Sequence, residues 1–137
     1  MAISNGRTPR LAGVEFSPDE KVANNANTLR NSIAPLAKTV KVTGVVNDAN
    51  DWVTLPPLNS CPDGHEITLL CSAGANFELR TPTSSGELIN AQDCDGTKEY
   101  LCTDTQVVKI VKINNTIGWM AHGYSAIGAV VAAVVPD

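Results

Sequence analysis

Four cysteines and two histidines are the residues of this sequence best suited to hold a metal or attack a substrate. Cys61, Cys71, Cys94 and Cys102 stand 10, 23 and 8 positions apart. A structural zinc site draws on close Cys-x-x-Cys pairs, because two thiolates from one short loop must converge on one tetrahedral ion. No pair here has that spacing, and His65 and His122 are isolated. The expectation is no metal and four thiols, those within strands acting as small core residues. Cys71 and Cys102 each end a strand-like stretch and are the pair expected to be neighbours, and an oxidising environment would leave a disulfide open to them. Cys61 and His65 could pair as nucleophile and base, but Pro62-Asp63-Gly64 between them reads as a turn, and no third group orients the imidazole.

Asp93-Cys94-Asp95-Gly96 has the start of a calcium loop, where carboxylates at alternate positions converge around a glycine bend. Counted from Asp93, the twelfth position is Asp104 rather than the longer glutamate, and strand-like sequence fills the interval. A plain turn with Gly96 at positive φ is the simpler reading. Asn114-Asn115-Thr116 matches a glycosylation sequon, which a cytoplasmic chain never presents to that machinery. Trp52, Phe77, Tyr100 and Trp119 could make a sugar-stacking platform, yet each sits within a strand pattern, where core packing accounts for it. The Gly-x-Ser-x-Gly, Walker, His-Glu-x-x-His and Gly-x-Gly-x-x-Gly patterns do not occur. No catalytic, cofactor-binding or metal-ligating residue is assigned, no cofactor is expected, and the protein is expected not to be an enzyme.

The elements around these residues are strands. Apolar residues make up 43% of the 137 positions but aromatics only 4%, so Val, Ala, Leu and Ile carry the core. Thr39–Thr43, Trp52–Leu55, His65–Cys71, Asn76–Arg80, Glu87–Asn90, Lys98–Cys102, Gln106–Ile113 and Gly118–His122 read as eight short strands. Turn signals fall between them roughly every 8–12 residues, the pattern of an all-β sandwich or barrel. Their closeness in sequence favours antiparallel meanders and Greek keys, with the clearest hairpin over Asn114–Ile117. The fold expected is a small antiparallel sandwich or barrel-like domain over residues 38–137, carrying an apolar C-terminal segment, 126–135. Residues 1–37 lack sustained periodicity. Between Pro18 and Pro35 a short helix would find caps at Ser17 or Asp19 and apolar positions at Val22, Leu29 and Ile33, but the run Asn24-Asn25-Ala26-Asn27 favours an extended, partly ordered N-terminal arm.

Net charge is −4 and the basic residues are scattered, Lys109 and Lys112 being the nearest late pair. A nucleic-acid partner is not expected, since phosphate neutralisation needs Lys and Arg gathered on one face. The 126–135 run is shorter than the about 20 residues that span a bilayer, and the start has no signal-peptide pattern, so neither membrane nor secretion is expected.

From Asp51 to Asp137 the chain resembles small virion proteins of tailed bacteriophages, in particular head decoration (cement) proteins. The residues that carry the likeness are Trp52-Val53-Thr54-Leu55-Pro56, Gly64-His65-Glu66-Ile67-Thr68-Leu69 and Gly74-Ala75-Asn76-Phe77-Glu78-Leu79-Arg80-Thr81-Pro82. They continue through Gly86-Glu87-Leu88-Ile89-Asn90 to Gly118-Trp119-Met120-Ala121. The resemblance implies a homotrimer without a cofactor, made in the host cytoplasm and residing on the capsid surface of the virion, with the major capsid protein as partner. The same texture occurs in tail-fibre and adhesin head domains that bind host surface glycans, which is the alternative. The short self-contained chain, lacking shaft repeats or heptads, favours decoration.

Overall fold

A computed structural model of the chain describes residues 18–96 and 98–124. Within them run β1 (Asp19–Ala23), β2 (Thr39–Val45), β3 (Trp52–Thr54), β4 (Glu66–Cys71), β5 (Phe77–Arg80), β6 (Leu88–Ile89), β7 (Gln92–Asp93), β8 (Tyr100–Cys102), β9 (Val107–Asn114) and β10 (Gly118–Tyr124). One 3-10 turn, Leu58–Ser60, separates β3 from β4, and there is no α-helix among the described residues. All eight expected strands are present and the fold is all-β. Alternation sets the faces: in β9, Val108, Ile110 and Lys112 are buried while Lys109 and Ile113 are exposed.

The strands form a seven-stranded sheet in the order β1-β2-β4-β9-β10-β6-β7 and a three-stranded sheet β3-β5-β8. Val40, Val42, Ile67, Leu69, Val108, Ile110 and Trp119 of the large sheet share one core cluster with Val53, Phe77, Leu79 and Tyr100 of the small one. The sandwich expectation holds, but its purely antiparallel pairing does not. β1–β2, β2–β4, β3–β5 and β6–β10 are parallel, while β4–β9, β9–β10, β5–β8 and β6–β7 are antiparallel. The chain leaves β2 for the small sheet at β3, returns at β4 and leaves again at β5. Strands adjacent in one sheet are therefore separated by a visit to the other, which supplies the crossover that parallel pairing needs. The backbone of Ser32, Thr54 and Arg80 stacks in this way, with Ile33 N–H donating to Thr54 O (2.9 Å) and Leu55 N–H to Arg80 O (2.8 Å). The successive turns of this short coil differ in length, so no fixed sequence period marks them.

The N-terminal arm is also corrected. Of residues 1–37, the described part (18–37) belongs to the domain: β1 is a strand on the large sheet, Ala23 and Ile33 are core, and no helix spans Pro18 to Pro35. The asparagine-rich stretch is held by Asn31, which is fully buried. Its Nδ2 donates to the carbonyls of Asn24 (3.2 Å), Ala26 (3.0 Å) and Trp52 (2.9 Å), and its Oδ1 accepts from Thr28 N–H (3.1 Å). One side chain thus pins the loop, adding a donor to the Asn24 and Trp52 carbonyls that already pair with each other's backbone N–H and supplying one to Ala26. Residues 1–17 and the apolar segment 126–135 lie outside the described residues.

Two contacts close the far end of the domain. Lys112, 3% exposed, donates through Nζ to the carbonyls of Leu58 and Cys61 at 2.7 Å each and sits 3.3 Å from Asp63 Oδ1. The aliphatic stem lies in the core while the ammonium ties down the turn between β3 and β4. Glu87, whose carboxyl burial pushes above the usual range, accepts from Leu58 N–H (3.1 Å) on the same turn. Gly118 opens β10 at φ 84°, with the Leu88 carbonyl lying where a Cβ would be. Replacing Lys112 by Met should keep the stem packed but leave the Cys61 carbonyl without its donor and the Leu58 carbonyl with Cys61 N–H alone, costing about 2 kcal/mol in chemical unfolding. Gly118→Ala should cost about 2 kcal/mol or more by strain and displacement of β6; a midpoint unchanged in both variants would show that this end of the sandwich is not held as described.

Candidate interaction surface

The residues singled out for chemistry are dispersed into structural work. Cys61 is buried beside Ser60 (Sγ to Oγ 3.7 Å), and His65 Nε2 pairs with the Ala37 carbonyl at 2.9 Å. Pro62–Gly64 between them is a turn, with Gly64 at φ 83° and His65 N–H donating to Pro62 O. Asp95 accepts from Gly86 N–H (3.1 Å) and Asp104 from Gly74 N–H (3.0 Å), so the two carboxylates tie different loops. Gly96 has φ 121°, as a turn requires. Among the described residues no group of three or more His, Cys, Asp and Glu is placed to hold a metal ion. Asn114 of the sequon uses its Oδ1 to accept from Thr116 and Ile117 N–H (2.9 and 2.7 Å), closing the β9–β10 hairpin.

Phe77, Tyr100 and Trp119 are core residues, whereas Trp52 is half-buried on the outer face of the small sheet. There the Arg80 guanidinium covers it, 4.2 Å from the ring centroid, a cation–π stack that occupies the ring face a sugar would use. All four cysteines are free and buried, and Cys71 lies close enough to Cys102 to push its thiol further up. Burial pushes the Cys94 thiol up to about 11 and the Cys102 thiol well above its ordinary value.

Among the described residues, a broad surface of unusual composition is the outer face of β4, β9 and β10, and strand register builds it. Val111 lies across from Glu66 and Met120, Lys109 across from Thr68 and His122, and Val107 across from Leu70 and Tyr124. β2 extends two of these rows with Thr39 beside Thr68 and Lys41 beside Leu70. Rows of apolar side chains therefore alternate with a polar row, neighbouring strands being about 4.8 Å apart. Met120 and Ile113 are 46% and 38% exposed, and Leu70, Val107, Val111 and Tyr124 are half-buried. Ile117 continues the apolar strip to the hairpin tip at 46% exposure. Lys109 Nζ donates to Thr68 Oγ1 (3.0 Å), and His122 meets Tyr124 edge-on at 6.3 Å between centroids, so the polar row is partly braced before any partner arrives.

An antiparallel sheet open to solvent normally turns a polar face outward. This face instead carries Leu70, Val107, Val111, Met120 and Tyr124 about a central row of Thr68, Lys109 and His122, with Glu66 at the end of one apolar row. It suits a large, flat partner that buries apolar rows and meets Lys41 and Lys109 with acidic or carbonyl groups. The sequence places these residues on strands without assigning faces to β9. Val107, Val111 and Ile113 alternating with Val108 and Ile110 were the available signal, since both faces of that strand are apolar.

No protein-family model matches the chain, and no curated protein matches it either. A thiol-reactive dye at pH 8 should label none of the four cysteines in the folded protein and all four in denaturant, because attack needs an accessible thiolate. Fast stoichiometric labelling of the folded chain would contradict the burial of the Cys71–Cys102 pair.

Proposed function

We propose that this chain is a non-enzymatic structural protein of a tailed-phage particle, a decoration protein that binds the outside of the capsid and cements it. The observation that carries the reading is the open face of β4, β9 and β10, whose two apolar rows flank Lys109 and His122. Such a face does no chemistry and is shaped to lie on another protein. The resemblance of residues 51–137 to head decoration proteins supplies the identity of that other protein, the major capsid protein, and the homotrimeric state. A shell holding packaged genome is under outward pressure, and a clamp opposes it by burying surface on two neighbours at once, on the order of 1,200–2,000 Å² for a specific contact. In a trimer each weak contact raises the effective concentration of the others, so no single anchor must be strong. Stiffness supports the same role: the parallel coil and the Lys112 clamp make a rigid spacer between binding sites.

Particles prepared without this protein should lose their genome at lower temperature or milder osmotic shock than complete particles. Equal resistance would end the cementing reading. Copy number in purified particles separates decoration, at hundreds of copies, from a fibre or adhesin head domain, at a handful. A single substitution, Met120→Lys, should leave folding stability within about 0.5 kcal/mol, since that side chain is 46% exposed. The same variant should fail to restore bare particles, and full restoration by it would place the contact on another surface.

A further inference from the structure

A cleft of about 340 Å³ opens at the corner where the β1–β2 loop, the end of β3 and the loop after β5 meet. That volume is at the small end for ligand pockets and suits one compact molecule. Ile33, Leu55 and the rings of Pro56, Pro57 and Pro82 give it apolar walls. Asn27, Ser32, Thr54 and Thr83 add three hydroxyls and an amide, and none of the nine lining residues is charged. Strand stacking gathers the polar groups, since Ser32 pairs with Thr54 on the next pass of the chain. Thr54 is 8% exposed, yet its Oγ1 has no hydrogen-bond partner among the described residues. A hydroxyl buried without a partner burdens the fold, so its presence in a cleft wall points to a use beyond folding. Ser32 Oγ donates to the Thr28 carbonyl at 2.7 Å and keeps its lone pairs to accept. Asn27 Nδ2 donates to Thr83 Oγ1 at 3.2 Å, a long, exposed bond between two walls that a ligand hydroxyl can replace.

The lining narrows the ligand class by elimination. An ionised ligand finds no counter-charge on the walls. An extended peptide finds no ladder to join, because three of the wall residues are prolines without an N–H. The other backbone donors are spent, Ile33 N–H on Thr54 O, Thr54 N–H on Asn31 O and Leu55 N–H on Arg80 O. A wholly apolar ligand would leave the Thr54 hydroxyl as unpaired as before. What fits is a neutral molecule with an apolar face and a rim of hydroxyls, each donor and acceptor like the hydroxyls it meets.

We propose that this corner is a binding site for a neutral sugar unit, a pyranose whose C–H face lies on the proline rings while its hydroxyls meet Thr54, Ser32 and the Asn27–Thr83 bridge. Trp52 takes no part, because Arg80 covers its ring. Thr54 shares the outer face of the small sheet with Trp52, two residues before it. A protein docked through the open face of the large sheet therefore presents the cleft on its opposite side. The site itself stands without that docking, and its test needs no particle.

Amide NMR of the full chain, titrated separately with glucose, galactose and mannose, reads the site directly. At least one sugar should shift the Ser32, Thr54, Leu55 and Thr83 amides saturably, with a Kd on the order of 1–10 mM for so small a neutral ligand. No saturable shift with any of the three would overturn the proposal, as would saturable shifts confined to another surface. Cyclohexanol, an apolar ring with one hydroxyl, should bind roughly tenfold more weakly than that sugar. Equal binding of cyclohexanol would reduce the site to an apolar cleft and sink the sugar reading. Thr54→Val removes Oγ1 and nearly keeps the shape. Its unfolding midpoint should hold or rise, because an unpaired buried hydroxyl is gone, while sugar affinity falls roughly tenfold. Thr83→Ala, on an exposed loop, reads the other wall without touching the core and should weaken binding roughly threefold. Full affinity retained in either variant would overturn the assignment.

Discussion

A strand of three residues cannot bury enough surface to persist alone, and several strands here are that short. What makes them stable is that the chain crosses from one sheet to the other after almost every strand between β2 and β9. Each crossing brings apolar side chains from opposite directions into one core, Val40 and Val42 from one sheet meeting Val53 and Leu79 from the other. The first crossings also give parallel neighbours, since β4 returns to its sheet running the same way as β2, and β5 the same way as β3. The corners between sheets must then be held without regular pairing. Asn31 holds one by reinforcing the paired carbonyls of Asn24 and Trp52, and Lys112 holds another by donating to those of Leu58 and Cys61.

The core and the open face are two consequences of the same long strands. β4, β9 and β10 are the members of the large sheet with the most extensive antiparallel pairing, and their inner residues complete the core. Their outer residues then stand in ordered rows whether or not a partner is present. A rigid array of this kind loses little conformational freedom on docking, which favours many modest contacts over a few strong anchors. The scarcity of aromatic residues fits that mode, since Phe77, Tyr100 and Trp119 are all committed to the interior.

Charge is handled differently on the two outer faces. On the large sheet Lys109 stands on the exposed row with His122 across from it, available to a partner. On the small sheet Arg80 is engaged three times over, by Glu78, Glu99 and Trp52, and offers nothing outward. The first arrangement suits association. The second is spent inside the fold, where it fixes the outer face of β5 against β3.

Composition and alternation alone determined that the chain is all-β, and they located eight strands, because a half-buried strand writes its two faces into every second residue. They also determined the hairpin at Asn114–Ile117 and the proximity of Cys71 to Cys102. Pairing direction was decided only by the tertiary structure. Period-two patterning says which side of a strand is buried but not which sheet the next strand joins. For the same reason β1 escaped notice: Asp19–Ala23 alternates weakly, and it is a strand because β2 offers it an edge. The placement of Glu78 in a roofed cluster and of Lys112 in the core likewise had no sequence signature, since both sit in ordinary alternation and acquire their surroundings from segments distant in the chain. The open face was half legible. Its residues were readable as strand, but that Val111 and Met120 share a row facing outward depends on register, which only the folded sheet sets.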